Sequence, residues 1–294
     1  MPLAERFIRG LSKLAVLATV WAGLVVPAGA QSFTTIDFPG AMHTRLFGIT
    51  PSGEIVGFYI NPDGRFHGLV VNRNELASFD LPGATSTVAI GVNPAGEIVG
   101  FYSTSPGVSH GYLLSHGAFT TIDFPGALST QALGINAVGS IVGNCRGSDA
   151  RVHGFLFSEG DFTTIDFPGS VFTEAFQINP QGEIVGNYQS GDGVFHEFLL
   201  SRDVFTSIDF PGSVSTGGSL FGVGINPPGA IVGQYRDTSG TTHGFLLDDG
   251  VFTPIDVSGA IATVATAINP RGQIVGRFRD PNGKDHGYLL QRQR

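Results

Sequence analysis

The chain has 294 residues with a formal net charge of −8, and only 14% of its residues are charged. It contains no basic run, so the composition argues against nucleic acid as a partner. The single cysteine, Cys145, excludes an intrachain disulfide, and a buried apolar role suits it because most other copies of the repeat carry Tyr there.

The first 30 residues have the pattern of a cleaved secretory signal peptide. Basic residues precede the apolar stretch Leu14–Val26, and the small residues Ala28 and Ala30 stand where a signal peptidase cleaves. A membrane anchor is the alternative, but the stretch is shorter than the roughly 20 apolar residues that a span needs. We therefore expect a mature chain that begins at Gln31, is extracellular or periplasmic, and does not span a membrane.

A unit of 43 residues recurs six times after Gln31, with copies starting near residues 33, 76, 119, 162, 205 and 252. Each copy holds four short runs rich in β-branched and aromatic residues, separated by Gly, Pro and Asn, which favours strands joined by tight turns. Repeats of this length are typical of propellers and solenoids. We predict an all-β fold, in which residues 31–294 form one six-bladed β-propeller of four-stranded antiparallel blades.

The last copy lacks its fourth strand. The chain ends soon after His286–Leu290, where another FTTIDF segment would begin, whereas the first copy opens with Phe33–Phe38 and has no strand before it. An open stack of sheets would leave unpaired backbone groups at both ends. We therefore expect Phe33–Phe38 to complete the last blade and close the ring.

Every copy places a His at the start of the third strand, and an Asp follows near the end of the fourth, 13 residues later in the first five pairs. We predict structural cross-strand pairs, each contributing about 0.2–1 kcal/mol. A metal or acid–base role is the alternative, but equivalent positions on separate blades lie too far apart to share one ion. The pairs are His67–Asp80, His110–Asp123, His153–Asp166, His196–Asp209, His243–Asp256 and, through closure, His286–Asp37.

Two classes of loop vary between copies, and strand direction places both on one face: the loops entering the first strand and those joining the second and third strands. The first class includes an insertion within Ser213–Val223. Function on a rigid scaffold usually resides in variable loops. The candidate binding residues near the channel mouth on this face are His43, Arg45, Gln131, Phe172, Glu174, Ser219 and Arg277. The alternative is that these residues form no site and differ between copies through ordinary surface variation.

Two loops between second and third strands, Asn61–Gly64 and Asp280–Gly283, resemble fragments of calcium loops. They lack the complete series of Asp and Asn ligands and the terminal Glu of an EF-hand. Turn chemistry explains both loops without an ion. We predict no metal site and no cofactor, with calcium as the alternative.

The segment INPxGxIVG, followed by HG(F/Y)LL, resembles the HAF family of bacterial extracellular repeats, which is named for a His-Ala-Phe tripeptide. The resemblance spans Phe33–Leu290 and departs from the family in having Gly, or Glu at Glu197, in place of Ala, and Thr50 in place of Asn. It implies secretion and a repetitive β fold, and it transfers no reaction or catalytic residue.

We expect a secreted, monomeric binding module that recognises an extracellular protein or glycan through the variable-loop face. The only tryptophan, Trp21, lies in the signal peptide, which weakens a sugar-stacking platform. The alternative function is a hydrolase or lyase acting on a glycan or lactone at the channel mouth. Arg45 would then stabilise a developing anion, and Glu174 or His43 would act as acid or base. A purely structural envelope component is a third reading.

Overall fold

The computed structural model describes residues 24–25, 32–73, 75–218 and 222–291. Every regular element within these ranges is a β-strand, which confirms the all-β prediction. The predicted signal peptide lies outside the described residues, except for Leu24–Val25, which pairs in parallel with Val251–Phe252. Among the described residues there is no helix with the length and apolar character of a membrane span.

The first two strands of each repeat are largely buried and are joined by a tight turn. The first strands are His43–Ile49, Ser86–Val92, Ser129–Ile135, Phe172–Ile178 and Ala262–Ile268, with Ser215–Thr216 and Gly224–Ile225 in repeat five. The second strands are Ile55–Ile60, Ile98–Ser105, Ile141–Arg146, Ile184–Gln189, Ile231–Arg236 and Ile274–Arg279.

The third strand begins with or near the repeated His, and the fourth strand comes from the head of the following repeat. The third strands are Phe66–Asn72, Val108–Ser115, Val152–Ser158, Phe195–Ser201, Thr242–Asp248 and Asp285–Gln291. The fourth strands are Glu75–Phe79, Ala118–Ile122, Asp161–Ile165, Val204–Ile208 and Val251–Ile255.

First, second, third and fourth strands pair antiparallel in that order, which confirms the predicted four-stranded antiparallel blades. Two sheets stand alone, and others are linked by single parallel bridges at Val152–Phe172 and Thr242–Ala262. Both faces of the second strands are buried, as expected for sheets covered on both sides by their neighbours.

The head of repeat one pairs with the last strand of the chain. Ser32–Ile36 runs antiparallel to Asp285–Gln291, with Phe33 opposite Leu290 and Thr35 opposite Tyr288. This segment is therefore the fourth strand that repeat six lacks in its own sequence. It protects the edge that the last strand would otherwise expose.

A ladder of asparagine side chains joins neighbouring repeats at the turns between first and second strands. Asn93 Nδ2 donates to the Asn136 carbonyl at 3.3 Å, and Asn136 Nδ2 donates to the Asn179 carbonyl at 3.5 Å. The same bond runs from Asn226 to Asn269 at 3.3 Å. The Oδ1 of each of these residues accepts backbone N–H groups of its own turn. One residue type thus shapes the turn and binds the next repeat.

Repeats six and one make the same kind of contact with each other. Asn269 Nδ2 donates to the Thr50 carbonyl at 3.1 Å, and the Thr266 hydroxyl donates to the Leu46 carbonyl at 2.8 Å. These bonds join residues that are 219 and 220 positions apart in the chain.

Apolar side chains from the first strands of repeats one to five pack in a single buried cluster. Its first-strand members include Phe47, Ile90, Leu133, Phe176 and Ile225. A Cβ at the neighbouring Gly134 would lie 2.5 Å from the Phe176 carbonyl oxygen, so glycine lets these strands approach closely. The space between the first strands is filled with apolar side chains at this level.

Candidate functional site

The predicted candidate residues separate into two places. His43, Arg45 and Arg277 gather where repeat six meets repeat one, whereas Gln131 and Glu174 both contact Asn144 of repeat three. Phe172 begins the first strand of repeat four. Ser219 lies outside the described residues.

The first group, which we name the seam cluster, consists of His43, Arg45, Arg277, Arg279 and Asp285. The Asp285 side chain is fully buried. Its Oδ2 accepts a hydrogen bond from Arg45 Nε at 2.9 Å, and its Oδ1 accepts one from Arg279 Nε at 2.7 Å. Arg277 Nη1 lies 3.5 Å from Oδ1, and the Asp285 backbone N–H donates to His43 Nδ1 at 3.0 Å. Three guanidinium groups therefore share one carboxylate.

The local strand pattern explains this convergence. Arg277 and Arg279 are two residues apart on the second strand of repeat six, so their side chains leave the same face of the sheet. Asp285 opens the third strand directly opposite Arg279. His43 and Arg45 have the same spacing at the start of the first strand of repeat one. All five residues lie at the variable-loop end of their strands.

The seam cluster carries excess positive charge. Burial lowers the pKa of Arg277 to about 10, which leaves its guanidinium charged at neutral pH. Burial alone would raise the pKa of Asp285, but the hydrogen bond from Arg279 and the charges of Arg277 and Arg45 outweigh it and lower the pKa. Burial also lowers the pKa of His43, against the pull of Asp285, so this imidazole is neutral at neutral pH. Two positive charges remain uncompensated inside the cluster.

Part of this charge reaches solvent. The Arg45 side chain is 18% exposed and the Arg279 side chain is 38% exposed. Arg45 also packs over the Phe58 ring, with its guanidinium carbon 5.7 Å from the ring centroid. The Nε of Arg277 is buried and has no hydrogen-bond partner among the described residues. The cluster therefore combines a buried carboxylate, which holds the guanidinium groups in place, with guanidinium N–H donors that a ligand could approach.

The second group, which we name the carboxylate row, consists of Glu174, Asn187 and Glu197 in repeat four. Glu174 pairs with Asn187 across the first two strands, and Asn187 pairs with Glu197 across the next two. Directly paired residues of an antiparallel sheet share one face. All three residues are buried, and Asn187 and Glu197 are fully so.

Glu197 belongs to this site although the sequence pattern did not place it there. The other five copies carry glycine at its position, so Glu197 stands out in the sequence only as a departure from the repeat pattern. The strand register places Glu197 opposite Asn187, in the same row as Glu174. The signal that could have found it is a charged residue at a position where every other copy lacks a side chain.

Each member of the row has one partner in a neighbouring repeat. Glu174 Oε1 accepts a hydrogen bond from Asn144 Nδ2 at 2.9 Å, and Asn144 Nδ2 lies 3.4 Å from Gln131 Oε1. Glu197 Oε1 accepts the Gln234 backbone N–H at 3.1 Å. Burial raises the pKa of Glu174 to about 8 and the pKa of Glu197 well above its usual range.

The insertion of repeat five meets the carboxylate row. Asn187 Nδ2 donates to the Gly218 carbonyl at 2.6 Å. A Cβ at Gly217 would lie 2.6 Å from Asn187 Oδ1 and 2.9 Å from Glu197 Cγ. Gly217 also has a φ of 84°, which favours glycine. Two irregularities of the repeat, Glu197 and the insertion, therefore share one interface.

The structure places each third-strand His beside the Asp assigned to it from the sequence. The shortest distances from Nδ1 to the carboxylate run from 2.7 to 3.0 Å in all six pairs. In three of them Nε2 also faces a carboxylate of the preceding loop, supplied by Asp149, Asp237 or Asp280. The ring commonly stacks on an aromatic residue of the second strand, as His67 does on Tyr59.

The two loops that resemble calcium loops use their polar atoms inside the turn. Asp280 Oδ1 accepts the N–H groups of Asn282 and Lys284 at 2.9 and 2.8 Å. In the other loop, Asp63 Oδ1 accepts the Arg65 N–H at 3.1 Å. Within the part of the chain that the structure describes, no three His, Cys, Asp or Glu side chains come together as a metal-binding group.

Two cavities lie away from the seam cluster. One, of about 90 Å³, opens at the turn end and is lined by every repeat, for example by Pro51, Pro94, Asn136, Gln177, Pro227 and Asn269. The other, of about 180 Å³, lies between repeats three and four, where Phe172 lines it together with Arg151 and Asp166. Of the described candidate residues, only Phe172 lines either cavity.

No protein-family model and no curated protein sequence matches the chain. Among solved structures, TolB from Acinetobacter baumannii superposes with a TM-score of 0.60 at 14% identity, over 87% of this chain and 65% of the TolB chain. The fucose-specific lectin from Aleuria aurantia gives a TM-score of 0.52 at 12% identity, over 88% and 96% of the two chains. The β-propeller domain of the Trilobed protease from Pyrococcus furiosus gives 0.51 at 9% identity, over 85% and 96%.

At identities this low, these similarities show the fold alone. The chain spans just under two thirds of TolB, so its match there is to part of a longer protein. The superpositions and the four-stranded antiparallel sheets agree on one architecture. The chain has a β-propeller fold.

Proposed function

We propose that the protein is a secreted, monomeric, six-bladed β-propeller that binds an acidic glycan through the seam cluster on its variable-loop face. Secretion follows from the signal-peptide pattern of residues 1–30 and from the resemblance to HAF repeats. The ligand class follows from the charge of the seam cluster.

Contacts between the chain ends support a closed ring of six blades. Ser32–Ile36 supplies a fourth strand to repeat six. The asparagine ladder continues from repeat six to Thr50 of repeat one. Arg45 of repeat one is held by Asp285 of repeat six. In a closed ring these contacts make the seam cluster a fixed site rather than a flexible end.

The observation that carries the binding proposal is the imbalance of charge at Asp285. Three guanidinium groups converge on one carboxylate, and Arg277 Nε has no hydrogen-bond partner in the part of the chain that the structure describes. Arginine forks bind carboxylate and sulfate groups through paired, charge-assisted hydrogen bonds. A uronate, sialate or sulfated sugar would supply the negative charge that the cluster lacks.

A glycan suits the scaffold for two reasons. The Aleuria aurantia lectin, which shares the fold, is fucose-specific. Without tryptophan after residue 21, recognition would depend on charge more than on stacking against the sugar ring. The net charge of −8 opposes general adhesion to polyanions, so binding would be confined to this cluster.

The contacts favour binding over the hydrolase or lyase alternative. Arg45 is held by Asp285, and Glu174 by Asn144, at two different interfaces between repeats. Glu174 is buried, whereas a catalytic acid must touch its substrate. The described contacts therefore do not assemble Arg45 with Glu174. His43, the other acid or base of that mechanism, does share the seam cluster with Arg45, but its Nδ1 already accepts the Asp285 backbone N–H.

A glycan array that contains neutral, uronate-bearing, sialylated and sulfated glycans tests the proposal. We expect acidic glycans alone to bind, and we expect Arg279→Ala to weaken their affinity at least about tenfold in calorimetric titration. Higher salt should weaken binding in the same way.

The matched control is Arg236→Ala. Arg236 ends the second strand of repeat five as Arg279 ends that of repeat six, but it donates to the Gly240 carbonyl instead. The Arg236→Ala variant should bind acidic glycans with an affinity within about twofold of that of the unmodified protein. Binding of neutral glycans only, or equal losses in the two variants, would refute the seam cluster as the site.

A further inference from the structure

We propose that the carboxylate row of repeat four binds a hard cation, with calcium as its occupant. This site differs from the seam cluster and from the two loops that resemble calcium loops. Its ligands would be Glu174, Asn187 and Glu197, and it would tie the insertion of repeat five to the scaffold.

The strand register places three oxygen-bearing side chains in one row. Asn187 is the direct cross-strand neighbour of both Glu174 and Glu197, and direct neighbours have Cβ atoms about 4.5–5.5 Å apart. A long glutamate side chain on either side can span that distance towards the amide of Asn187. Gly217 faces the row without a side chain, next to Asn187 Oδ1 and Glu197 Cγ.

The row has acceptors but too few donors. Glu174 Oε2, Asn187 Oδ1 and Glu197 Oε2 are all buried and have no hydrogen-bond partner among the described residues. Buried polar atoms are normally paired, and an unpaired buried carboxylate oxygen is costly. Three unpaired oxygen acceptors on neighbouring residues favour a bound cation, because a cation can be coordinated by all of them.

Calcium fits the chemistry of this set. It takes carboxylate and amide oxygens in flexible arrangements, and Asn187 Oδ1 is available because the amide is held through Nδ2, which donates to the Gly218 carbonyl. Its two positive charges would balance the two carboxylates of Glu174 and Glu197. Calcium takes about six to eight oxygen ligands, and the row has only two carboxylates. The amide oxygen of Asn187 is therefore needed as a further ligand.

The irregularities of the sequence point to the same place. Glutamate replaces glycine at this position in one copy out of six, and that copy precedes the only copy with an insertion. The two changes meet at Gly217 and Gly218. A bound cation would rigidify the start of the insertion, which belongs to the variable-loop face.

Thermal unfolding of the chelator-treated protein tests the proposal. At pH 7.5, we expect 1 mM calcium to raise the melting temperature by about 5 °C, with one calcium bound per chain in calorimetric titration. Glu197→Gly restores the residue that the other five copies carry, so it should fold and lose this response. Glu174→Gln, which keeps the side-chain volume, should weaken calcium binding at least tenfold.

A second variant separates this site from the loops. Asp280→Asn alters a loop that resembles a calcium loop and should keep the full calcium response. Four results would overturn the proposal: no response to calcium, a response kept by Glu197→Gly and Glu174→Gln, a response lost in Asp280→Asn, or stabilisation by acid alone. The last result would mean that protons occupy the carboxylates.

Discussion

His153 shows what a single repeated residue does in this fold. Its Nδ1 lies 3.0 Å from Asp166 and its Nε2 lies 3.2 Å from Asp149. Burial lowers the pKa of His153, but hydrogen bonds to both carboxylates and their charges outweigh burial and raise it above its usual value. Protonation of this imidazole therefore stabilises the folded state, since the folded protein holds the proton more tightly than the unfolded chain.

We predict that the stabilising effect of His153 is lost as the pH rises. The contribution is fully present below the unfolded pKa of about 6.5 and disappears as the pH passes the higher folded pKa. In urea unfolding, the free-energy difference between the original protein and His153→Gln should be larger at pH 5.5 than at pH 8.5, by up to about 1 kcal/mol. In an Asp149→Asn background, which leaves His153 with Asp166 only, this change should be smaller. A difference that grows towards pH 8.5 would contradict this assignment.

The sequence predicts part of the histidine environment. A fixed spacing of 13 residues across a hairpin sets the register, so the partner at Asp166 follows from the repeat. The second carboxylate, Asp149, does not follow, because it depends on how the preceding loop folds back. Asp285 was missed for a similar reason: its partner Arg45 is 240 residues away, and no other repeat has a charged residue at that position.

At the scale of the strand, the glycines of the first strands decide how closely neighbouring repeats approach. Gly134 lies against the backbone of Phe176 in the next repeat. A methyl group there would meet a carbonyl oxygen, which cannot move aside as the end of a flexible side chain can. Larger groups at such positions force shifts of the backbone.

We predict that Gly134→Ala destabilises the protein by about 1–3 kcal/mol because the added Cβ overpacks this contact. The free energy of unfolding in urea measures the effect. Gly191→Ala is the matched control, since a Cβ there has no neighbour within 4 Å, and its unfolding free energy should change by less than about 0.5 kcal/mol. Equal effects of the two substitutions would show that the first strands can separate without cost.

Strand type and order were predictable because β-branched runs and turn residues alternate in every copy. The first strand of repeat five was less predictable, because the residues described there form two short strands, Ser215–Thr216 and Gly224–Ile225. The repeat specifies a continuous strand, and the insertion interrupts it. The carboxylate row was not predictable either, since it depends on register across three strands and on burial that single residues do not reveal.

At the scale of the whole molecule, the proposed ring depends on Ser32–Ile36. This strand pairs with Asp285–Gln291, and just beyond it Asp37 accepts a hydrogen bond from His286 Nδ1 at 2.7 Å. Without it the last strand would present a free edge, and free edges promote association between chains. We therefore expect the pairing of Ser32–Ile36 to determine the stability of the protein and its proposed monomeric state.

We predict that a chain starting at Phe38 melts at least about 10 °C below a chain starting at Gln31, because it loses the edge pairing and exposes apolar surface. Scanning calorimetry measures the melting temperatures, and size-exclusion chromatography should show association of the shorter chain as its concentration rises. If both chains melt together and remain monomeric, the amino-terminal strand does not hold the ring closed.

The origin of each fourth strand has a consequence for how the gene can change length. Repeats one to five take this strand from the following copy, and repeat six takes it from the head of repeat one. The duplicated stretch of 43 residues and the sheet built from it are therefore offset by one strand. A tandem duplication or loss of one whole copy leaves the spare strand at the beginning and the incomplete sheet at the end unchanged. The strand pairing between the two chain ends is therefore compatible with any number of copies. The packing of the central apolar cluster is what limits how many copies evolution can keep.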